Sequence, residues 1–263
     1  MDHYSLIELK IESGIALLAF NRPDKRNAIS DDMRTEFIDA LERVASDKAI
    51  RALVLTGNGK GFCAGGDVAG MQRRMEAPQG EVAFNGWSRQ QRVHHTVKLL
   101  HTMPKPTIAA VNGAAAGLGA DTALCCDFVL ASEAASFSWS YIHRGLIPDG
   151  GGMYFLPRRV GLSMAKELVF TGRKVPAQEA KALGIADRLS TPEALLDDAL
   201  RWAAELSQGS ATAIALGKSI MNQSFELPAD QVFAQGSQAQ GICYTSTAHR
   251  ESVLAFLNKT SQA

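Results

Sequence analysis

Two glycine-rich loops constrain this chain more than any other feature: FCAGGDV at Phe62–Val68 and PTIAAVNGAAAGLGAD at Pro106–Asp121. Each follows an apolar, β-branched run, RALVLTG ahead of the first and TIAAV inside the second. A strand that breaks into glycines leaves backbone N–H groups bare, so a ligand can approach closely. Two such breaks can aim two amide donors at one oxygen that is gaining negative charge, the geometry of an oxyanion hole. The expected chemistry is therefore at a polarised carbonyl.

The runs around the loops set the fold class. Leu6–Ile11 and Ile15–Phe20 read as short strands joined at Ser13-Gly14, and Arg51–Thr56 as a buried strand ending at the first loop. Ser30 is a candidate N-cap, followed by Asp31 and Asp32 and then by Met33, Phe37, Leu41 and Val44 at helical spacing. Ala69–Gly86 shows little periodicity and is expected to be a mobile lid, with Phe84 and Trp87 as its apolar content. A helix is predicted over Ser88–His101, and strands over Phe128–Ala131 and Phe137–Trp139. Helical patterns then cover Leu162–Phe170, Pro176–Leu183, Pro192–Leu206, Ala211–Gln223, Pro228–Cys243 and His249–Leu257. The expected architecture is a layered α/β core over residues 1–195 and a helical C-terminal region over 196–263.

Charge excludes some partners. Lys+Arg and Asp+Glu balance at 27 each, so no global field recruits nucleic acid or an anionic membrane. The longest apolar stretch, Thr107–Val111 with Ala114–Cys126, is interrupted by glycine and aspartate and falls short of a membrane span. MDHYSLIELK lacks the basic-then-apolar layout of a secretion signal. Cys63, Cys125, Cys126 and Cys243 form neither a CxxC pair nor a zinc spacing, so they read as reduced core residues of a cytoplasmic protein with no metal site. TIAAVNGAAAGLGAD imitates a dinucleotide-binding turn. However, Thr122 stands where GxGxxG needs its last glycine, and the motif does not open a chain-initial βαβ unit.

Together with NRPDKRNAIS before them, and GLIPDGGGMYFLPRRVG and TGRKVPAQEAKALGIADRL after them, the two loops resemble the crotonase superfamily, which includes the enoyl-CoA hydratases and isomerases. The resemblance runs from about Leu6 to Lys259. It implies a crotonase-like spiral of β-β-α units, a helical C-terminal region that forms a homotrimer or a dimer of trimers, an acyl-CoA thioester substrate and an enolate intermediate. CoA enters as part of the substrate, and no separate cofactor is implied. The oxyanion donors would be the amides of Gly66 and Leu118, with the helix opening at Leu118 adding its positive end. Leu118 replaces a glycine common in the family, which is compatible because only the backbone N–H is needed. Lys25, Arg26, Ala28, Ala64, Asp67 and Val68 match positions that wrap the adenine and pantetheine. Lys25 and Arg26 are of a kind to approach phosphates. Phe256 and Lys259 match a C-terminal pair that often reaches CoA, although Ser252 replaces the usual glycine ahead of them.

The acid and base choose the reaction. The hydratases carry two catalytic glutamates; here those positions hold Asp121, one methylene shorter, and Tyr141, which is no carboxylate base and reads as a pocket wall. The remaining carboxylate is Asp149 in LIPDGGG. Together with FLPR at Phe155–Arg158, its setting resembles the 1,2-epoxyphenylacetyl-CoA isomerases, whose aspartate shuttles a proton. Partial desolvation by Leu146, Ile147 and lid residues would raise its pKa. The leading expectation is an isomerase that moves a double bond, or opens a ring epoxide, with Asp149 as base. A hydratase using Asp121 with water and a non-catalytic CoA-ester-binding protein are the alternatives. Asp149 also suits a helix N-cap, and Asp121 suits a first-turn aspartate on a helix dipole. His94 lies near the position of a histidine in the 4-chlorobenzoyl-CoA dehalogenases, but Tyr141 stands in place of their tryptophan. His95 and His143 read as surface or structural residues. Trp87, Phe84, Trp139 and Tyr141 are candidates for an aromatic acyl pocket.

Overall fold

The strands β1 (Ile7–Glu12) and β2 (Ile15–Phe20) form an antiparallel hairpin in the computed structural model, which describes residues 4–260. Next, α1 (Asp31–Ser46) opens where expected: Ser30 Oγ accepts from Met33 N at 3.2 Å, and the helix buries Met33, Phe37, Leu41 and Val44.

Three strand-strand-helix turns follow. The first is β3 (Ala52–Gly57), β4 (Gly61–Cys63), α2 (Val68–Met75) and α3 (Gln79–His101). The second is β5 (Thr107–Val111), β6 (Ala114–Ala116) and α4 (Leu118–Leu124). The third is β7 (Phe128–Ser132), β8 (Ser136–Ser138), a 3-10 turn at Ser140–Arg144 and α5 (Gly152–Val160). The first strand of each turn enters one sheet, of order β1-β2-β3-β5-β7, and the second enters another, of order β4-β6-β8. Within these runs β2, β3, β5 and β7 pair in parallel, as do β4, β6 and β8. This is the spiral of β-β-α units that the sequence resemblance implies. After α6 (Leu162–Thr171), the sheets are completed by β9 (Val175–Pro176) beside β8 and, past α7 (Ala177–Leu183), by β10 (Arg188–Ser190) beside β7.

The central strands are apolar on both faces, which explains their unbroken hydrophobic runs. Leu53, Leu55, Ala109, Val111, Val129 and Ala131 face the main core, whereas Ala52, Val54, Ile108, Ala110 and Leu130 face the other side. That second face is covered by α8 (Leu195–Ser207) through Leu195, Ala199, Trp202 and Ala203. The division at residue 195 thus falls at the start of a helix that packs on the sheet. Beyond it, α9 (Ala211–Met221) is pinned by Lys218, whose Nζ donates to Asp127 Oδ2 at 2.8 Å and to Lys105 O at 3.1 Å. Of the last two helices, α10 (Ala229–Tyr244) packs against α9, and α11 (Thr247–Thr260) against α10. Among the described residues, no helix is long and apolar enough to cross a membrane.

The segment expected to be an irregular lid is helical instead. α2 occupies its first part, and α3 begins at Gln79, well ahead of Ser88. The reason emerges from the site.

Candidate active site

The rim of the site is set by Asn27. Arg26 and Asn27 both adopt left-handed backbone conformations (φ 51° and 56°), a region asparagine enters more readily than most residues. The Asn27 side chain is buried: its Oδ1 accepts from Arg22 N at 2.9 Å, and its Nδ2 donates to Asn58 O at 3.0 Å and Gly61 O at 2.8 Å. The following residues then run beside the first glycine loop. Ala64 N donates to Arg26 O, Ile29 N to Gly65 O and Asp67 N to Ile29 O, at 2.9, 2.7 and 3.1 Å. Arg22 Nη1 bridges Ala28 O at 2.6 Å and Asp67 Oδ2 at 3.0 Å. Lys25, Arg26, Ala28, Ala64, Asp67 and Val68 are thereby gathered at one rim, with Lys25 and Arg26 exposed.

Gly65 brings the two loops together. At φ 97°, a Cβ there would lie 2.8 Å from Ala116 O, so only glycine permits this approach. The adjoining Gly66 amide and the Leu118 amide at the first position of α4 donate no hydrogen bond among the described residues. Both residues line a cleft of about 560 Å³ together with Val68, Tyr141 and Asp149. They also line a smaller chamber with Ala64, Gly65 and Gly117, so the amide pair stands at the junction of two spaces.

Two helices form the wall of the large chamber. From α2 it takes Val68, Met71, Gln72 and Met75, and from α3 it takes Gly86, Arg89, Gln90 and Val93. Both sets follow the spacing i, i+3, i+4, i+7, one face of a helix. This periodicity was present in the sequence but is carried by glutamine, arginine and glycine as well as apolar residues, so hydrophobicity alone did not reveal it. Arg144, Leu146 and Ile147 complete the wall. Phe84 and Trp87 remain 66% and 61% exposed, and Trp139 is fully buried. Of the four expected pocket aromatics, Tyr141 is the one found among the lining residues.

Asp149 and Asp121 have opposite environments. Asp149 is partly buried and opens into the cleft. It does not cap α5: the N-cap is Gly151, and no side chain caps that helix. Burial raises the Asp149 pKa, while its own amide, His94 and Arg89 oppose the shift. Asp121 is fully buried and is not among the cleft-lining residues. Its Oδ1 accepts from Trp139 Nε1 at 2.9 Å and its Oδ2 from the Tyr141 hydroxyl at 2.7 Å, and the Gly152 amide also donates to it. Burial pushes its pKa up to about 7 despite these donors. Glycines at 150 and 152 admit this packing, since a Cβ at either would collide with an Asp121 oxygen.

The other candidates lie elsewhere. His95 Nε2 is 2.9 Å from Glu42 Oε1, and His143 is exposed. Phe256 is 68% exposed on α11 and is not among the residues lining the cleft; the Lys259 side chain is outside the described residues. Cys63, Cys125 and Cys126 are buried free thiols.

Comparisons with known proteins agree with this geometry. The sequence profile described as enoyl-CoA hydratase/isomerase matches residues 10–263. The chain is 35% identical to a crotonyl-CoA hydratase of Syntrophomonas wolfei, covering 97% of this chain and 96% of that protein. It is 36% identical to a 1,2-epoxyphenylacetyl-CoA isomerase of Escherichia coli, covering 95% of each. The crystal structure of an enoyl-CoA hydratase from Mycobacterium smegmatis superposes with a TM-score of 0.89 at 30% identity, over 97% of both chains. With its spiral of β-β-α turns and its paired amides over one cleft, this chain belongs to the enoyl-CoA hydratase/isomerase family of the crotonase superfamily.

Proposed function

We propose that the protein is an acyl-CoA isomerase that relocates a double bond through a thioester enolate. The Gly66 and Leu118 amides receive the thioester oxygen. The Asp149 carboxylate takes a proton from the acyl carbon, and the C–H electron pair moves into the carbonyl to give the enolate. Returning that proton to the other end of the conjugated system completes the shift and restores the carboxylate. Two donors aimed at an oxygen whose charge grows in the transition state lower the barrier directly. The desolvated Asp149 is a stronger base than an exposed aspartate.

One observation carries this choice over hydration. Among the described residues lining the cleft, Asp149 is the carboxylate, while the Asp121 oxygens are engaged behind the wall. The rim of residues 25–28 and 64–68 supports CoA as the carrier, with Lys25 and Arg26 free to approach its phosphates. Incubation with a 3-enoyl-CoA is expected to produce the conjugated 2-enoyl ester, seen as a rise in its absorbance. Asp149→Asn is expected to lower that rate by about 10²–10⁴-fold with ester binding retained, as for loss of a general base. Full activity in this variant, or hydration of crotonyl-CoA as the main reaction, would overturn the proposal.

A further inference from the structure

Three segments meet on the Asp121 carboxylate. Trp139 follows β8 and caps the 3-10 turn, Tyr141 lies within that turn, and Gly152 opens α5 three residues after Asp149. None of these donors is a cation, and among the described residues no salt bridge reaches Asp121. A buried carboxyl held by neutral donors can exist with or without its proton. The titratable groups facing Asp121 and Tyr141 are Cys125 at the C-terminal cap of α4, Cys63 on β4 and Asp149 on the loop; His94 and Arg89 on α3 face Asp149 in turn.

We propose that Asp121 is a positioning residue: it holds the Asp149 loop through the Gly152 amide, holds the cleft wall through Tyr141, and by gaining or losing one proton reverses the Tyr141 hydrogen bond. When Asp121 is ionised, the Tyr141 O–H donates to Oδ2 across the 2.7 Å contact, a separation that suits a hydrogen bond in either direction. When Asp121 is neutral, its own O–H donates to the phenol oxygen, and the Tyr141 hydrogen turns away. Oδ1 keeps the Trp139 bond in both states. The proton exchanges with solvent, and no other bond forms or breaks. Of the two acidic positions, Asp149 acts on the acyl carbons and Asp121 sets the surroundings in which it acts. The inference rests on the reading of Asp149 as the group that moves the proton.

Its test is the pH profile of kcat/KM for double-bond migration, read beside the infrared band of protonated carboxyl groups. Burial places the Asp121 titration at about 7, so the wild type is expected to show a second inflection near neutrality and a carboxyl band lost over the same range. Both are expected to be absent in Asp121→Asn. That variant is also expected to lose kcat on the order of 10²-fold with KM nearly unchanged, as when a catalytic group is misplaced by about 1 Å. Tyr141→Phe keeps the shape but removes a donor that favours the carboxylate, so its inflection is expected to move to higher pH. A purely structural Asp121 would lower the yield of folded protein and leave the inflection unmoved in Tyr141→Phe. A single-step wild-type profile without the band, or an inflection that persists in Asp121→Asn, would overturn the inference. If the wild type shows no isomerase turnover, the functional proposal fails separately. The infrared band, present near neutrality in the wild type and absent in Asp121→Asn, then decides for or against the proton-carrying Asp121.

Discussion

Asn27 holds a left-handed backbone with both of its side-chain polar atoms engaged, and it lies within the short parallel pairing of residues 26–29 with residues 64–67. Alanine there would leave the Arg22 amide and the Asn58 and Gly61 carbonyls without their partner, at about 1–3 kcal/mol for each buried group that water cannot reach. It would also force a less tolerant residue into positive φ. Asn27→Ala is expected to destabilise the fold by roughly 3 kcal/mol in urea denaturation, and to raise KM for the CoA ester more than it lowers kcat. A change within about 0.5 kcal/mol would contradict this account, since that is the range of an ordinary surface substitution. At this scale the sequence was legible where chemistry requires a residue type. Glycines beside β-branched runs marked the two loops, the family resemblance named the Gly66 and Leu118 amides within them, and Asp121 and Tyr141 in place of the two glutamates drew attention to Asp149. It was not legible where a role depends on what arrives from elsewhere in the chain. Nothing local distinguishes Asp121 behind the wall from Asp149 in the cleft, because the Trp139 and Tyr141 donors reach Asp121 only after β8 has paired with β6. Asn27 carried one signal, a residue tolerant of the left-handed region within a loop, and that signal names a turn rather than its partners.

At the scale of elements, strands and capped helices followed from pattern, and the cleft wall did not. Ser30 and the apolar spacing behind it place the start of α1 within a residue. The walls of α2 and α3 escaped because a helix face that lines a cavity need not be apolar. Gly86 provides a test of the helical assignment. It lies within α3, where a Cβ would meet nothing within 4 Å, so alanine adds helix propensity without a collision. Gly86→Ala is expected to stabilise the protein by about 1 kcal/mol, the difference between the two residues in a helix interior. The thermal midpoint is expected to rise by about 2–4 °C for a domain of this size. If the segment were an irregular lid, the substitution would not show this gain. A midpoint that is unchanged or lower would return Ala69–Gly86 to a loop.

At the scale of the molecule, the C-terminal helices cannot be explained within one chain. α10 buries none of its residues, and Phe225, Phe233, Ile242, Tyr244, Leu254 and Phe256 are exposed along α10, α11 and the segment before them. Isolated helices of this length are marginal in water, and most helical stability comes from packing an apolar face. Large apolar side chains left exposed in this number over one region mark a surface that associates. The balanced charge of 27 acidic and 27 basic residues offers no net repulsion between copies. We therefore expect identical chains to assemble through α10 and α11; a trimer or a dimer of trimers is the arrangement that the family resemblance implies. Phe233, at 69% exposure, is the probe: most of its surface lies outside the packing of its own chain, so a charge there should disturb association and largely spare the fold. In sedimentation velocity at micromolar concentration, the wild type is expected to run as an oligomer. Phe233→Glu is expected to shift toward the monomer while the sheets keep their circular dichroism. The same variant bears on the site, because Phe256 is exposed on its own subunit and the family resemblance implies a contact with CoA that a neighbouring subunit would receive. Dissociation is then expected to weaken CoA-ester binding even though Phe233 is not among the residues lining the cleft. A wild type that sediments as a monomer would remove both expectations together.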